Sequence, residues 1–224
     1  MNDRPALSAA TALPATASNT LIRNTFILLS LILGTAAVGA GLGLAINMPM
    51  GWGVWIAFMV LFIGGPFLIQ RIDNGQTQIS VTFVWAFLVG LMFSPLVGAY
   101  LSFPGGSAIV LNALVTTAVL FTALAGYAVT SRKDFSFMGG FLGAGCLLVI
   151  VAIIANIFLQ IPMLSLVISS AAVLLMCGLI LWETSRLIHE PNANPIMIAV
   201  GLFGSIVVMF SHLLNLFSFL SGED

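Results

Sequence analysis

Few side chains in this sequence could do chemistry, because only 6% of its 224 residues are charged. The most prominent stand in the stretch LILWETSRLIH, where Glu183 and Arg186 follow a long apolar run. One interpretation is an ion pair between residues three apart on a helix, at a membrane interface. The other is a carboxylate turned toward the interior of a helix bundle, where it takes up and releases protons as a pH sensor or gate. The sequence leaves both open.

A second group of polar residues lies near the C-terminus. His212 follows Ser205 by seven residues, so on a helix both lie on one face, roughly 10 Å apart. With Ser211 and Asn215 they give this segment a polar side that a lipid-facing helix would lack. We therefore expect this helix inside the bundle. His212 itself has two interpretations, a hydrogen-bonded packing residue or a proton relay.

The remaining polar residues predict packing and loops rather than catalysis. Asn156, in the segment ANIFLQ, is expected to form a hydrogen bond between helices. Arg132, Lys133 and Asp134 belong to a loop. The sequence has no GxSxG, HExxH or CxxC motif and no glycine-rich phosphate loop. We therefore predict neither an enzyme nor a cofactor or metal site.

The composition indicates a membrane protein. Hydrophobic residues make up 60% of the chain, and its mean hydropathy is +1.18. A soluble domain carries about 25% charged residues, several times more than this chain has. The net charge of −1, without a basic patch, argues against a nucleic-acid partner.

The long apolar runs predict an all-α protein with seven transmembrane helices. Each run approaches the roughly 20 residues that cross a bilayer, and the alternating segments of a transmembrane barrel are missing. Two glycine pairs, Gly39 with Gly43 and Gly139 with Gly143, have the small-xxx-small spacing that lets helices pack closely. The predicted helices lie near 24–46, 51–70, 79–101, 107–129, 136–159, 163–182 with a polar extension to about 188, and 195–220.

The positive charges predict the orientation of the helices. All basic residues precede the first helix or lie in alternate loops, which the positive-inside rule places in the cytoplasm. The N-terminus is then inside and the C-terminus outside. We expect a disordered tail at 1–22, a transmembrane domain at 23–220 and a short C-terminal tail at 221–224. The basic residues are Arg4, Arg23, Arg71, Arg132, Lys133 and Arg186.

Three segments together resemble the Bax inhibitor-1 family of seven-helix membrane proteins. They are GYAVTSRKDFSFMGGFLGAG, ANIFLQIP and WETSRLIH, and the element TxRKDxSFxGG, from Thr130 to Gly140, is the most specific. Within the family the chain is most similar to the bacterial YccA branch, described as modulators of the membrane AAA protease FtsH. The resemblance implies six helices around a central seventh, a bacterial inner-membrane location with a periplasmic C-terminus, and FtsH-type protease as partner.

The resemblance also implies an alternative function. Some family members behave as pH-dependent calcium leaks gated by two aspartates on helices six and seven. Glu183 matches the first of these positions and Ser205 the second. Calcium prefers six to eight oxygen ligands, so the loss of one carboxylate weakens this interpretation. The alternative is thus a pH-sensitive cation leak with Glu183 as sensor and Ser205 and His212 along the path.

Overall fold

The computed structural model describes residues 15–190 and 193–222, and every regular element within them is an α-helix. Seven of these helices are long and apolar enough to cross a membrane, which confirms the predicted fold class. The helices are α1 (Ala15–Ala45), α2 (Trp52–Gln70), α3 (Gly75–Leu101), α4 (Gly106–Ser131), α5 (Met138–Leu159), α6 (Pro162–His189) and α7 (Pro195–Ser221).

The first helix begins earlier than the sequence predicts. α1 starts at Ala15, so part of the expected tail at 1–22 continues the helix. The alanine residues of this stretch have high helix propensity, and the apolar run that follows stabilises the same helix. The rest of the expected tail, residues 1–14, and the last two residues of the expected C-terminal tail lie outside the described residues.

The helices differ greatly in burial. α7 is the most buried helix. In its most apolar stretch of 18 residues, 56% is buried inside the protein, whereas the corresponding share in α5 is 6%. Among the described residues, α7 packs against every other helix except α5, and α5 packs only on α6. The expected central position of the seventh helix is confirmed. The surrounding ring is incomplete, because α5 lies outside it against α6.

α1 and α3 form the most extensive helix pair. Gly39 and Gly43 of α1 face α3 so closely that a Cβ atom on either would collide with it. At Gly39 the obstacle is the carbonyl oxygen of Phe87, and at Gly43 it is the side chain of Ser94. The predicted packing role of this glycine pair is confirmed.

In the second glycine pair, in α5, only one of the two glycines contacts another helix. Gly139 packs against the indole of Trp182 in α6, but nothing lies within 4 Å of the Cβ position of Gly143. The outer face of α5 is left to lipid, and Phe158 on it is 82% exposed.

Hydrogen bonds connect α2, α3 and α7 at one end of the bundle. We call this end, where the loops 71–74, 132–137 and 190–194 lie, the basic end. The buried Gln78 donates from Nε2 to the carbonyl oxygen of Ile69 at 3.0 Å and accepts from Asn194 Nδ2 at 3.2 Å. Asn194 also caps α7, because its Oδ1 accepts from the backbone N–H of Ile196 at 2.9 Å. These bonds fix the start of α7 beside α3 and the last turn of α2.

Candidate functional site

Glu183 is turned toward the interior of the bundle. Its side chain is 13% exposed and lies against Gly201 of α7, where an added Cβ would come within 2.8 Å of the carboxyl carbon. A side chain larger than that of glycine at this position would require the carboxylate of Glu183 to move. The carboxylate of Glu183 is thus turned inward, and its role as a pH sensor or gate stays a prediction.

Arg186 is shared between two carboxylates. Its Nη1 lies 3.5 Å from Glu183 Oε2, as the ion-pair interpretation predicted. Its Nε donates to both oxygens of Glu190 at 3.0 Å, and its guanidinium carbon lies 4.9 Å from the centre of the Trp182 ring. Glu190 is thus the closer partner. Sequence analysis missed it, although its spacing of four residues from Arg186 was the available signal.

A cleft between α2 and α6 leads from the basic end to Glu183. It consists of a cavity of about 560 Å³ beside Glu190 and one of about 320 Å³ beside Glu183. Gln70, Arg186 and Met197 line both cavities. Among the described residues α2 and α6 do not pack on each other, so the space between these two helices is open to both cavities. We call these two cavities the α2–α6 cleft.

The ionisable groups that line the α2–α6 cleft are the carboxylates of Glu183 and Glu190, the guanidinium of Arg186 and the imidazole of His189. In the described part of the chain no group of three or more His, Cys, Asp or Glu side chains could hold a metal ion. Calcium prefers more oxygen ligands than this cleft supplies from its acids.

Ser205 and His212 do not join Glu183 in one site. Ser205 is buried and lies one helical turn beyond Gly201, but its hydroxyl is not among the hydrogen-bond partners of Glu183. His212 Nδ1 lies 3.1 Å from the hydroxyl of Ser169 in α6. That level is roughly 20 Å from Glu183 along α6. His212 forms the interhelical hydrogen bond that its packing interpretation predicts.

The motif residues Arg132, Lys133 and Asp134 lie in the α4–α5 loop, as predicted. The loop is fastened to α6 by Ser185, which sequence analysis did not single out. Its fully buried side chain accepts from the backbone N–H of Phe135 at 3.0 Å and lies 3.4 Å from the carbonyl oxygen of Lys133. This loop therefore stands directly beside the helix turn that carries Glu183 and Arg186.

The prediction for Asn156 is wrong. Its Oδ1 accepts from the backbone N–H of Ile161 at 3.2 Å, within the turn that joins α5 to α6, and not from a side chain of another helix. The reason is its position one turn before Gln160, where a left-handed residue with φ of 52° ends α5. At a helix end the free backbone groups are the nearest partners for an amide.

Comparisons with known proteins agree with this architecture. Residues 18–222 match the family described as inhibitor of apoptosis-promoting Bax1. The chain is 37% identical over 203 residues to the "Modulator of FtsH protease YccA" of Escherichia coli K12, and the match covers 91% of each chain. A relative of the same identity, in E. coli O6:H1, is named "Inner membrane protein YccA". An uncharacterized membrane protein of Vibrio cholerae is 34% identical, and 92% of each chain is covered. A match over all seven helices shows that this multi-pass membrane protein belongs to the Bax inhibitor-1 family.

Proposed function

We propose that this chain is an inner-membrane protein that binds an FtsH-type membrane protease and modulates its degradation of membrane proteins. The observation that carries the proposal is the identity of 37% over 91% of both chains with the relative named as a modulator of FtsH protease. The family match spans residues 18–222, so it includes nearly all of the seven-helix bundle, whereas segment 1–14 lies outside it. The proposal gives the chain no catalytic role.

The mechanism we propose rests on how α1 is held. The segment 1–14, which contains four alanines and two prolines, precedes α1 and is taken here as the part of the chain that the protease grips. A protease that pulls on this segment would load α1 first. α1 packs on α3 through backbone-close contacts at Gly39 and Gly43, so its removal breaks the most extensive helix pair of the bundle. A chain that is gripped but resists extraction occupies the protease and slows its turnover of other substrates.

The first experiment removes the segment and keeps the bundle. Purified protease and a labelled membrane substrate are placed in one bilayer, and the substrate half-life is measured with the intact chain, with residues 2–14 deleted, and with those residues replaced by glycine and serine. We expect the intact chain to lengthen the half-life, the deletion to abolish the effect, and the replacement to preserve it. Full inhibition by the deletion variant would refute the tail mechanism. Failure of every form to co-purify with the protease would refute binding itself.

A second experiment weakens the bundle and keeps the segment. Gly39→Ala places a methyl group against the carbonyl oxygen of Phe87, whereas nothing lies within 4 Å of the Cβ position of Gly34 on the same helix. We expect the Gly39→Ala chain to be extracted and degraded, so that its inhibition is lost. Gly34→Ala should behave as the intact chain, and equal degradation of the two variants would contradict the role of the α1–α3 contact.

The cation leak remains the competing hypothesis and has its own test. Its three proposed residues lie at two levels of the bundle, since Glu183 faces Gly201 and His212 bonds to Ser169. Calcium flux into liposomes, measured from acidic to alkaline pH with the intact chain and with Glu183→Gln, separates the two functions. A pH-dependent flux that the substitution removes would favour the leak over the protease role.

A further inference from the structure

The α4–α5 loop carries the most specific motif of the sequence, and the proposed function does not use it. Arg132 and Lys133 of this loop are exposed. Among the described residues the ion pairs involve Arg186 with Glu183 and Glu190, so neither cation of the loop has an acidic partner. Two adjacent positive charges are therefore left uncompensated at one place on the surface.

The acid beside these cations is engaged elsewhere. Asp134 accepts hydrogen bonds from the backbone N–H of Ser136 at 2.8 Å and from the hydroxyl of the same residue. The side-chain bond, followed by the backbone bond, lowers the pKa of this loop carboxyl below its ordinary value. The carboxylate closes a turn within the loop and forms no ion pair with Arg132 or Lys133 among the described residues, so the three residues together carry a net charge of +1.

The loop is held in one place from two sides. Ser185 of α6 binds the backbone of Lys133 and Phe135. On the α4 side, the ring of Tyr127 packs against that of Phe135, with centroids 6.3 Å apart. Because the backbone of the loop is fixed in this way, its ordering costs little further backbone entropy when the cations bind a partner.

The segment that follows the loop is exposed on the surface of the bundle. The loop leads into α5, the helix with the least burial. Phe137, just before α5, is 80% exposed, and Phe141 on its first turn is 73% exposed. Aromatic rings at the end of a membrane span, with basic residues beside them, are typical of the headgroup region. Both groups are thus within reach of the same lipid molecule.

We propose that Arg132 and Lys133, with Phe137 and Phe141 beneath them, form a docking site for the headgroup of an anionic phospholipid. The charge complementarity is direct, because two unpaired cations meet a phosphate group at the surface of the bilayer. The exposed rings would contact the upper part of the acyl chains. This inference does not depend on the protease proposal, because it concerns lipid binding by the isolated chain.

The test uses the full chain in nanodiscs of phosphatidylcholine, into which a fluorescent phosphatidylglycerol is titrated and its binding to the protein measured by energy transfer. The intact chain should bind phosphatidylglycerol in preference to phosphatidylcholine, and added salt should weaken the preference. Arg132→Gln combined with Lys133→Gln should reduce the affinity roughly thirtyfold, as expected for the loss of two cations near a lipid surface.

The matched control is Arg23→Gln combined with Arg71→Gln. It removes the same charge from exposed residues at the same end of the bundle, and it should leave most of the affinity intact. Both double variants should unfold at the same temperature as the intact chain in pure phosphatidylcholine, since the replaced side chains are exposed.

Three results would overturn the proposal. Equal affinity of the intact chain for the two lipids would show that the loop does not recognise anionic headgroups. Equal loss in the two double variants would show a general effect of net charge. Binding of soluble polyglutamate to the loop in phosphatidylcholine, at the strength found for phosphatidylglycerol, would assign the surface to an acidic protein partner instead.

Discussion

α7 and α5 show that hydrophobicity does not decide which helix lies inside this bundle. α5 is the more apolar helix, because the mean hydropathy of its most apolar 18-residue stretch is 2.7, against 2.2 for α7. Yet only 6% of that stretch is buried in α5, against 56% in α7. In a bilayer the lipid tails are as apolar as leucine, so an apolar helix gains little by leaving them. Burial follows small and polar residues, which pack closely or bond to neighbouring helices.

The polar residues of the two helices illustrate this difference. His212 of α7 meets Ser169 of α6, and Gly201 of α7 admits the carboxylate of Glu183. Asn156 of α5, in contrast, bonds to Ile161 within its own turn. Polar groups thus connect α7 to its neighbouring helices, whereas the polar side chain of Asn156 in α5 only stabilises the turn that follows it.

The largest expected effect on stability comes from removing one phenylalanine ring from each helix. Phe203 of α7 is fully buried and its ring centroid lies 5.2 Å from that of Trp85, while Phe158 of α5 is 82% exposed. Phe203→Ala should lower the free energy of unfolding by about 3 kcal/mol, because it leaves a cavity without packing partners. Phe158→Ala should change it by less than about 0.5 kcal/mol. Reversible unfolding in detergent measures both, and similar losses would break the comparison.

A second test compares a polar bond at the buried helix α6 with one at the end of α5. Ser185→Ala leaves the backbone N–H of Phe135 without its acceptor and should cost about 2 kcal/mol of unfolding free energy. Asn156→Ala removes the acceptor of Ile161 N–H, but that site is exposed, so water replaces the bond and the loss should stay below about 1 kcal/mol. Hydrogen exchange at the two amides would show directly which bond is lost, and equal protection after both substitutions would contradict the prediction.

A third test adds one methyl group to each helix. Gly201→Ala brings a Cβ against the carboxylate of Glu183, whereas Gly143→Ala meets open space. Because the obstacle is the end of a flexible side chain, Glu183 should move aside at a cost of about 1 kcal/mol. Gly143→Ala should cause no loss, since alanine is the better helix former. Unfolding measurements check both, and a stable Gly201→Ala variant would show that Glu183 is loosely held.

The smallest effect concerns Asp134, in the loop that leads into α5. Its pKa is lower in the folded loop than its ordinary value of 3.8 because of the Ser136 bonds. The stabilisation of the turn is therefore complete above the ordinary pKa and is lost as the pH falls through the lowered one. Ser136→Ala removes the larger cause and should raise the pKa of Asp134 toward 3.8. Carbon NMR of the carboxyl group measures this pKa, and an unchanged value would contradict the assigned cause.

Much of the fold follows from the sequence because hydropathy acts locally. A run of apolar residues long enough to cross the bilayer must form a helix, since only a helix satisfies its backbone there. The seven helices and the polar character of α7 are visible in this way. The family follows from three sequence motifs, and the spacing of Glu183 and Arg186 made their ion pair one of two interpretations. The loop position of Arg132, Lys133 and Asp134 follows from the same pattern.

Other features depend on how each helix is rotated and which helix it meets, and only the tertiary structure decided them. The sequence does not show that α5 lies outside the ring, that Glu183 faces Gly201, or that Ser185 holds the α4–α5 loop. Each of these depends on contacts between residues far apart in the chain. Since lipid and protein interior are equally apolar, hydropathy alone cannot distinguish the faces that meet them, and close packing of small and polar side chains makes that choice.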